Sequence, residues 1–174
     1  VKSKNVKKVF EIFAKKTVDR AKKILDQKGK TTSGVTSDSL GYYLKVDKGT
    51  VDLRFVGAPH SSIVDKGIRG SKSSANAPKS PYKFSGSKKA VNLGAIDRWV
   101  VRKGLGGIRD DKGRFISRKT MVFLVARKIY LYGIKPSNFF TDAINETTKG
   151  LPRQIARAYV KDAEAFIQNV TKEL

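Results

Sequence analysis

The sequence predicts an α+β fold: a small antiparallel β-sheet packed against several α-helices, with long helices near both ends and an extended basic loop between them. Three observations carry this. Apolar residues recur at threes and fours through residues 3–27 and again beyond Pro152, which is the period of an amphipathic helix. Two β-rich runs, "YYLKV" and "VDLRFVGA", flank the turn sequence "DKGT". A stretch at 69–90 is dominated by serine, glycine, proline and basic residues and holds no acid. With 174 residues, 39% of them hydrophobic, the chain is long enough for a real core. A single domain spanning 1–174 is expected, with room for an elaborate insertion.

The first helix rests on Val6, Val9, Phe10, Phe13, Ile24 and Leu25, with lysines on its outer face and Gly29 ending it. The next element is a β-hairpin, because Tyr43, Leu44, Val46, Val51, Leu53, Phe55 and Val56 favour strands and Asp47-Lys48-Gly49 is turn chemistry. "SSIVDKG" reads as a short helical turn. Residues 69–90 read as an arm, flexible until it meets a partner, since their composition cannot form a core. "LGAIDRWVVRKGL" places Leu93, Ile96, Trp99 and Val100 on one helical face, and "GGIRDDKGRF" reads as a glycine-rich loop or tight hairpin. Ser117 can cap the following helix by accepting an otherwise unpaired backbone N–H. From Met121 to Leu131 that helix is apolar nearly all round, which predicts the central core helix. Gly133 ends it and Pro136 prevents its resumption. "SNFFTDAI" starts another helix, in which Phe139 and Phe140 either cap the core or offer a hydrophobic edge to another subunit. A last amphipathic helix begins near Pro152 and carries Ile155, Ala158, Tyr159, Ala163, Phe166, Ile167 and Val170.

Charge points to the kind of partner. Lys and Arg number 37 against 15 Asp and Glu, a net of +22. The excess is +8 in residues 1–30 and +11 in 61–120, while 31–60 is neutral and 121–174 carries +3. A polyanion or an acidic protein surface would offset the self-repulsion. Lys72, Lys79, Lys83, Lys88 and Lys89 of the 69–90 stretch are the candidate contacts to DNA or to an acidic partner. Trp99, Tyr130 and Tyr132 lie on core-like segments rather than on a base-stacking surface, so sequence-specific reading is not expected.

Motifs for chemistry fail one by one. There is no cysteine, which rules out disulfides and thiolate metal sites. The single histidine, His60, stands in a turn with no metal quartet around it. "GKTT" at 29–32 is not a phosphate-binding loop, because Ile24 occupies the position where that motif needs glycine. "GLGG" at 104–107 is too short for a dinucleotide fingerprint, and the adjacent Asp110 and Asp111 read as a solvated loop. No catalytic residue, metal ligand or cofactor is therefore expected, and neither is an enzyme. The longest apolar stretch is broken by Arg127 and Lys128, and the first residues lack the apolar core of a signal peptide. A soluble protein used without secretion or membrane contact is expected.

Several blocks together resemble the neck or tail-completion (head–tail joining) proteins of tailed bacteriophages. They are "LGAIDRWVVRKGL", "KGRFISRKT" and "FLVARKIYLYGIKPSNFFTDAI", preceded in order by "TSDSLGYYLKV", "DLRFVGA" and "SSIVDKGIRG". In that family a strand is typically followed by a short helix, a G-T/I-R turn, a core helix and a KPxxFF or KPxPF step. The likeness spans most of residues 1–150 and its motifs are structural, not catalytic. It implies a structural virion protein made in the host cytoplasm: a subunit of a homo-oligomeric ring around the DNA passage. Such a ring joins a portal or adaptor on one side to tail proteins on the other, with packaged DNA backbone as a further contact. The competing expectation is a non-specific nucleic-acid-binding protein.

Overall fold

In a computed structural model, residues 3–30, 34–47, 50–86 and 91–172 are described. Their elements run in the order α1 (Lys4–Gln27), α2 (Val35–Ser39), β1 (Gly41–Asp47), β2 (Thr50–Val56), α3 (Ser61–Lys66), β3 (Ile68–Arg69), α4 (Leu93–Arg102), α5 (Arg118–Tyr132), β4 (Gly133–Ile134), α6 (Phe139–Thr147) and α7 (Leu151–Lys172). The fold is α+β, with long helices near both ends. Its strands form two antiparallel pairs, β1 with β2 and β3 with β4. The chain divides into two compact units, and the second is inserted in sequence between the two pieces of the first.

The first unit comprises Val1–Ser61 and Asn138–Leu174. Its centre is α1, which packs against the hairpin, α6 and α7. Val6, Ala14, Ala21 and Leu25 are fully buried along one stripe, at the 3.6-residue period seen in the sequence. The hairpin registers Gly41 with Val56 and Asp47 with Thr50. Phe55 projects from β2 between Phe13 and Phe140, meeting each ring edge to face at 6.2 and 5.2 Å, an arrangement aromatic quadrupoles favour. The buried hydroxyl of Thr17 bonds the Phe13 carbonyl at 2.9 Å and shares a 2.8 Å bond with the Thr147 hydroxyl, so a polar group in the α1–α6 contact is satisfied.

Asp162 organises the start of α1 from 157 residues away. Ser3 provides no side-chain cap there, and the first turn holds no acid. The Asp162 carboxylate does both jobs: it accepts from the backbone N–H of Asn5 at 3.0 Å, from that of Val6 at 3.0 Å, and from the Asn5 amide at 2.8 Å. Burial pushes this carboxyl up, but those three bonds together hold it below the usual carboxylate range. It also sits at the positive end of the helix dipole.

The second unit, Ser62–Ser137, has its core in Ile68, Ala77, Val91, Val100, Val122 and Ala126. Its tightest point is the β3–β4 pair, where Ile68 faces Ile134 and Arg69 faces Gly133. Gly133 has φ +76, and a Cβ there would lie 2.0 Å from the Ile68 carbonyl oxygen. A Cβ on Gly70 would lie 2.1 Å from that of Leu131. Only glycine lets these backbones approach so closely. As expected, Gly133 ends α5 and Ser117 caps it, its Oγ accepting from Thr120 N–H at 3.2 Å.

Candidate functional site

Two expectations from the sequence are corrected in the second unit. The first concerns residues 69–90. Residues 69–86 form no long regular element, but they are tied down rather than free. Backbone N–H groups of Ser71, Lys72 and Ser73 donate to the carbonyls of Tyr130 and Leu131 at 2.8–3.1 Å. Arg69 pairs with Lys83, the Tyr130 hydroxyl donates to the Gly86 carbonyl at 2.7 Å, and the buried Ser80 hydroxyl donates to the Gly67 carbonyl at 2.7 Å. Composition could not reveal this, because the acceptors are carbonyls at the end of a helix 58 or 59 residues onward. Lys72, Lys79 and Lys83 are nevertheless all exposed, so a fixed backbone carries a solvent-facing set of charges. Lys88 and Lys89 lie outside the described residues.

The second correction concerns Met121 to Leu131. In α5 only Val122 and Ala126 are buried, while Phe123 is 57% and Leu124 44% exposed. An all-round apolar helix needs neighbours on several sides, and within this unit α4 is the principal helix against it. An apolar surface is left over. Beside it runs a groove of about 520 Å³ whose lining includes Val91, Leu93, Phe123, Ala126, Arg127 and Tyr130. A bidentate ion pair between Asp97 and Arg118 ties α4 to the start of α5, and this hydrogen bonding holds the Asp97 carboxyl below its usual range. The Asn92 side chain caps α4, accepting from Ala95 N–H at 3.0 Å.

The loop between α4 and α5 is a tight turn organised by Asp110. Its carboxylate accepts from the backbone N–H groups of Arg114 and Lys112 at 2.9 and 3.0 Å and from Arg114 Nε at 3.0 Å. The Arg114 backbone bond is the leading reason its carboxyl is held low. Arg109 lies over the Phe115 ring at 4.1 Å, a cation–π contact on a ring still 66% exposed. Asp110 is thus a turn-former, and nothing in its geometry resembles a catalytic pair.

In the first unit, Phe139 is 1% exposed and belongs to the core. It opens α6, and burial of its ring beside Phe140 leaves it no surface to offer a neighbour. Phe140 is half-buried against Phe55. His60 is exposed and shares a 3.0 Å hydrogen bond with the Thr36 hydroxyl, in keeping with the surface or packing residue expected of a lone turn histidine. Along α1, Lys4, Lys7, Lys8, Lys15, Lys16 and Lys23 are exposed, so the basic excess of residues 1–30 faces solvent.

The residues that sequence reasoning missed are on α7. Tyr159, Phe166, Ile167 and Val170 were expected on its buried face, yet all are 43–60% exposed. The inner face is instead Leu151, Ile155, Ala158 and Asp162. Two apolar stripes run side by side on this helix, and their coexistence is the signal that was legible. Among the described residues no cluster of His, Cys, Asp or Glu could hold a metal ion, and no helix is long and apolar enough to cross a membrane. No protein-family model, no curated protein and no solved structure matches this chain.

Proposed function

We propose that this chain is a structural subunit of a homo-oligomeric ring at the head–tail junction of a tailed bacteriophage, joining a portal or adaptor to the tail around the DNA channel. The reading rests on the resemblance of its sequence blocks to neck and tail-completion proteins. The observation that best supports it is where those blocks fall. "GIRG" and "YGIKP" are the β3–β4 joint, in which Gly70 and Gly133 allow contact no other residue would permit. A build whose distinctive residues serve backbone geometry suits a rigid assembly part. The apolar surface on α5 and the groove beside it give such a subunit somewhere to meet neighbours. Exposed lysines on α1 and on the 69–86 segment would face packaged DNA or acidic partners. Native mass measurement tests the reading: a closed oligomer of fixed copy number greater than two supports it, and a strict monomer or a dimer alone at high concentration refutes it.

A second reading, non-specific binding to nucleic acid, is favoured by the charge of +22 and the lysine face of α1. It requires that the isolated chain bind DNA of any sequence, with affinity falling steeply as salt rises.

A further inference from the structure

The last ten described residues of α7, 163 to 172, are all exposed. They follow Asp162, which caps the first turn of α1. At ~1.5 Å per residue this is a helical end of roughly 15 Å projecting past the start of its neighbour. A free helix end gains little from its own hydrogen bonds, so most of its stability must come from packing. Yet it displays Phe166, Ile167 and Val170, with Tyr159 and Val160 just before them, all 43–60% exposed.

The pattern in this surface is specific. Tyr159, Ala163, Phe166 and Val170 follow the 4-3-4 spacing of a coiled-coil seam, with Val160 and Ile167 widening it on one side. The charged residues Arg157, Lys161, Glu164 and Lys172 fall at outer positions, and Asp162 is engaged with α1. In a chain of net charge +22, this is a strip where two copies can approach without setting like charges against each other. The stripe is also complementary to itself when reversed. An antiparallel copy would place Phe166 against Ala163, and Tyr159 against Val170, so each large ring meets a smaller side chain.

We propose that this stripe of α7 pairs two copies of the chain as an antiparallel two-helix contact with two-fold symmetry. The contact does not rest on the ring reading. An isologous pair closes at two copies, whereas a ring needs a heterologous contact through another surface.

Sedimentation of the full chain, freed of nucleic acid, tests it. The expected result is a monomer–dimer equilibrium that strengthens with added salt, because screening relieves repulsion between two basic bodies. Bridging by residual nucleic acid would weaken with salt. Phe166→Asp should weaken dimerisation about tenfold or more, as should Ala163→Arg, which fills the small half of a layer. Lys161→Glu, away from the seam, should leave it unchanged. Because Phe166 and Ala163 are exposed, both variants should melt with the wild type at concentrations low enough that all three are monomeric, so loss of dimer cannot be mistaken for loss of fold. A wild-type chain that stays monomeric at high concentration overturns the proposal. So does a dimer that survives both Phe166→Asp and Ala163→Arg. A closed ring indifferent to both substitutions would overturn this contact while supporting the ring.

Discussion

Removing the Asp162 carboxylate should cost the first unit a substantial part of its stability. In Asp162→Ala, the Val6 N–H, on a residue with no exposed surface, loses its acceptor. A buried donor left unpaired costs roughly 1–3 kcal/mol. Loss of a helix cap costs about 1 kcal/mol, and loss of an anion from the positive end of the α1 dipole adds a few tenths or more. These contributions overlap, so roughly 2–4 kcal/mol in total is expected. With a urea dependence of about 2 kcal/mol per molar, the unfolding midpoint should fall by roughly 1–2 M. Asp162→Asn, which keeps one oxygen acceptor but no charge, should lie between. The effect should also depend on pH with a definite sign. The folded-state carboxyl is held below its ordinary value, so its contribution is complete above the unfolded value, about 4. That contribution disappears as pH falls through the lower folded value. Urea unfolding followed by far-UV circular dichroism at pH 7 and at pH 3 measures the gap between wild type and Asp162→Ala. The gap should be wide at pH 7 and narrower at pH 3. A midpoint within about 0.2 M of wild type at pH 7, or a gap that fails to narrow in acid, would refute the capping account.

Further predictions follow from the same contacts. Gly133→Ala should lower the melting temperature sharply and reduce soluble yield, because it combines a positive φ with a Cβ 2.0 Å from a backbone oxygen. Phe139→Ala should cost about 3–5 kcal/mol by chemical denaturation, as for a fully buried ring, with Phe140→Ala costing less. Phe123→Ser should change stability by no more than about 0.5 kcal/mol, where a core helix position would lose several times that. Gln substitutions at Lys72, Lys79 and Lys83 together should leave the melting temperature unchanged. If these lysines contact phosphate, the salt dependence of DNA binding should become shallower by up to about 0.9 log unit per lost contact. Limited proteolysis should cut slowly within 69–86, since its backbone is bonded to the end of α5.

Local chemistry was written plainly in the sequence. The apolar period of residues 3–27 became α1 at 4–27, and the β-rich runs around Asp47-Lys48-Gly49 became the hairpin. Ser117 capped its helix and Gly133 ended one, because caps and positive-φ turns depend on a few adjacent residues. Tertiary structure alone decided which apolar stripes are covered. Periodicity shows that α7 has apolar faces. That Ala158 and Asp162 turn inward while Phe166 and Val170 turn out depends on α1, whose first turn lies 157 residues from Asp162. The same holds for α5, whose uniform apolar character predicted burial that its few neighbours do not provide. It holds again for residues 69–86, where a composition suited to a loose arm is fastened by carbonyls that a distant helix leaves unpaired. Propensity and capping act over four or five residues, whereas burial is a property of whatever the rest of the chain brings alongside.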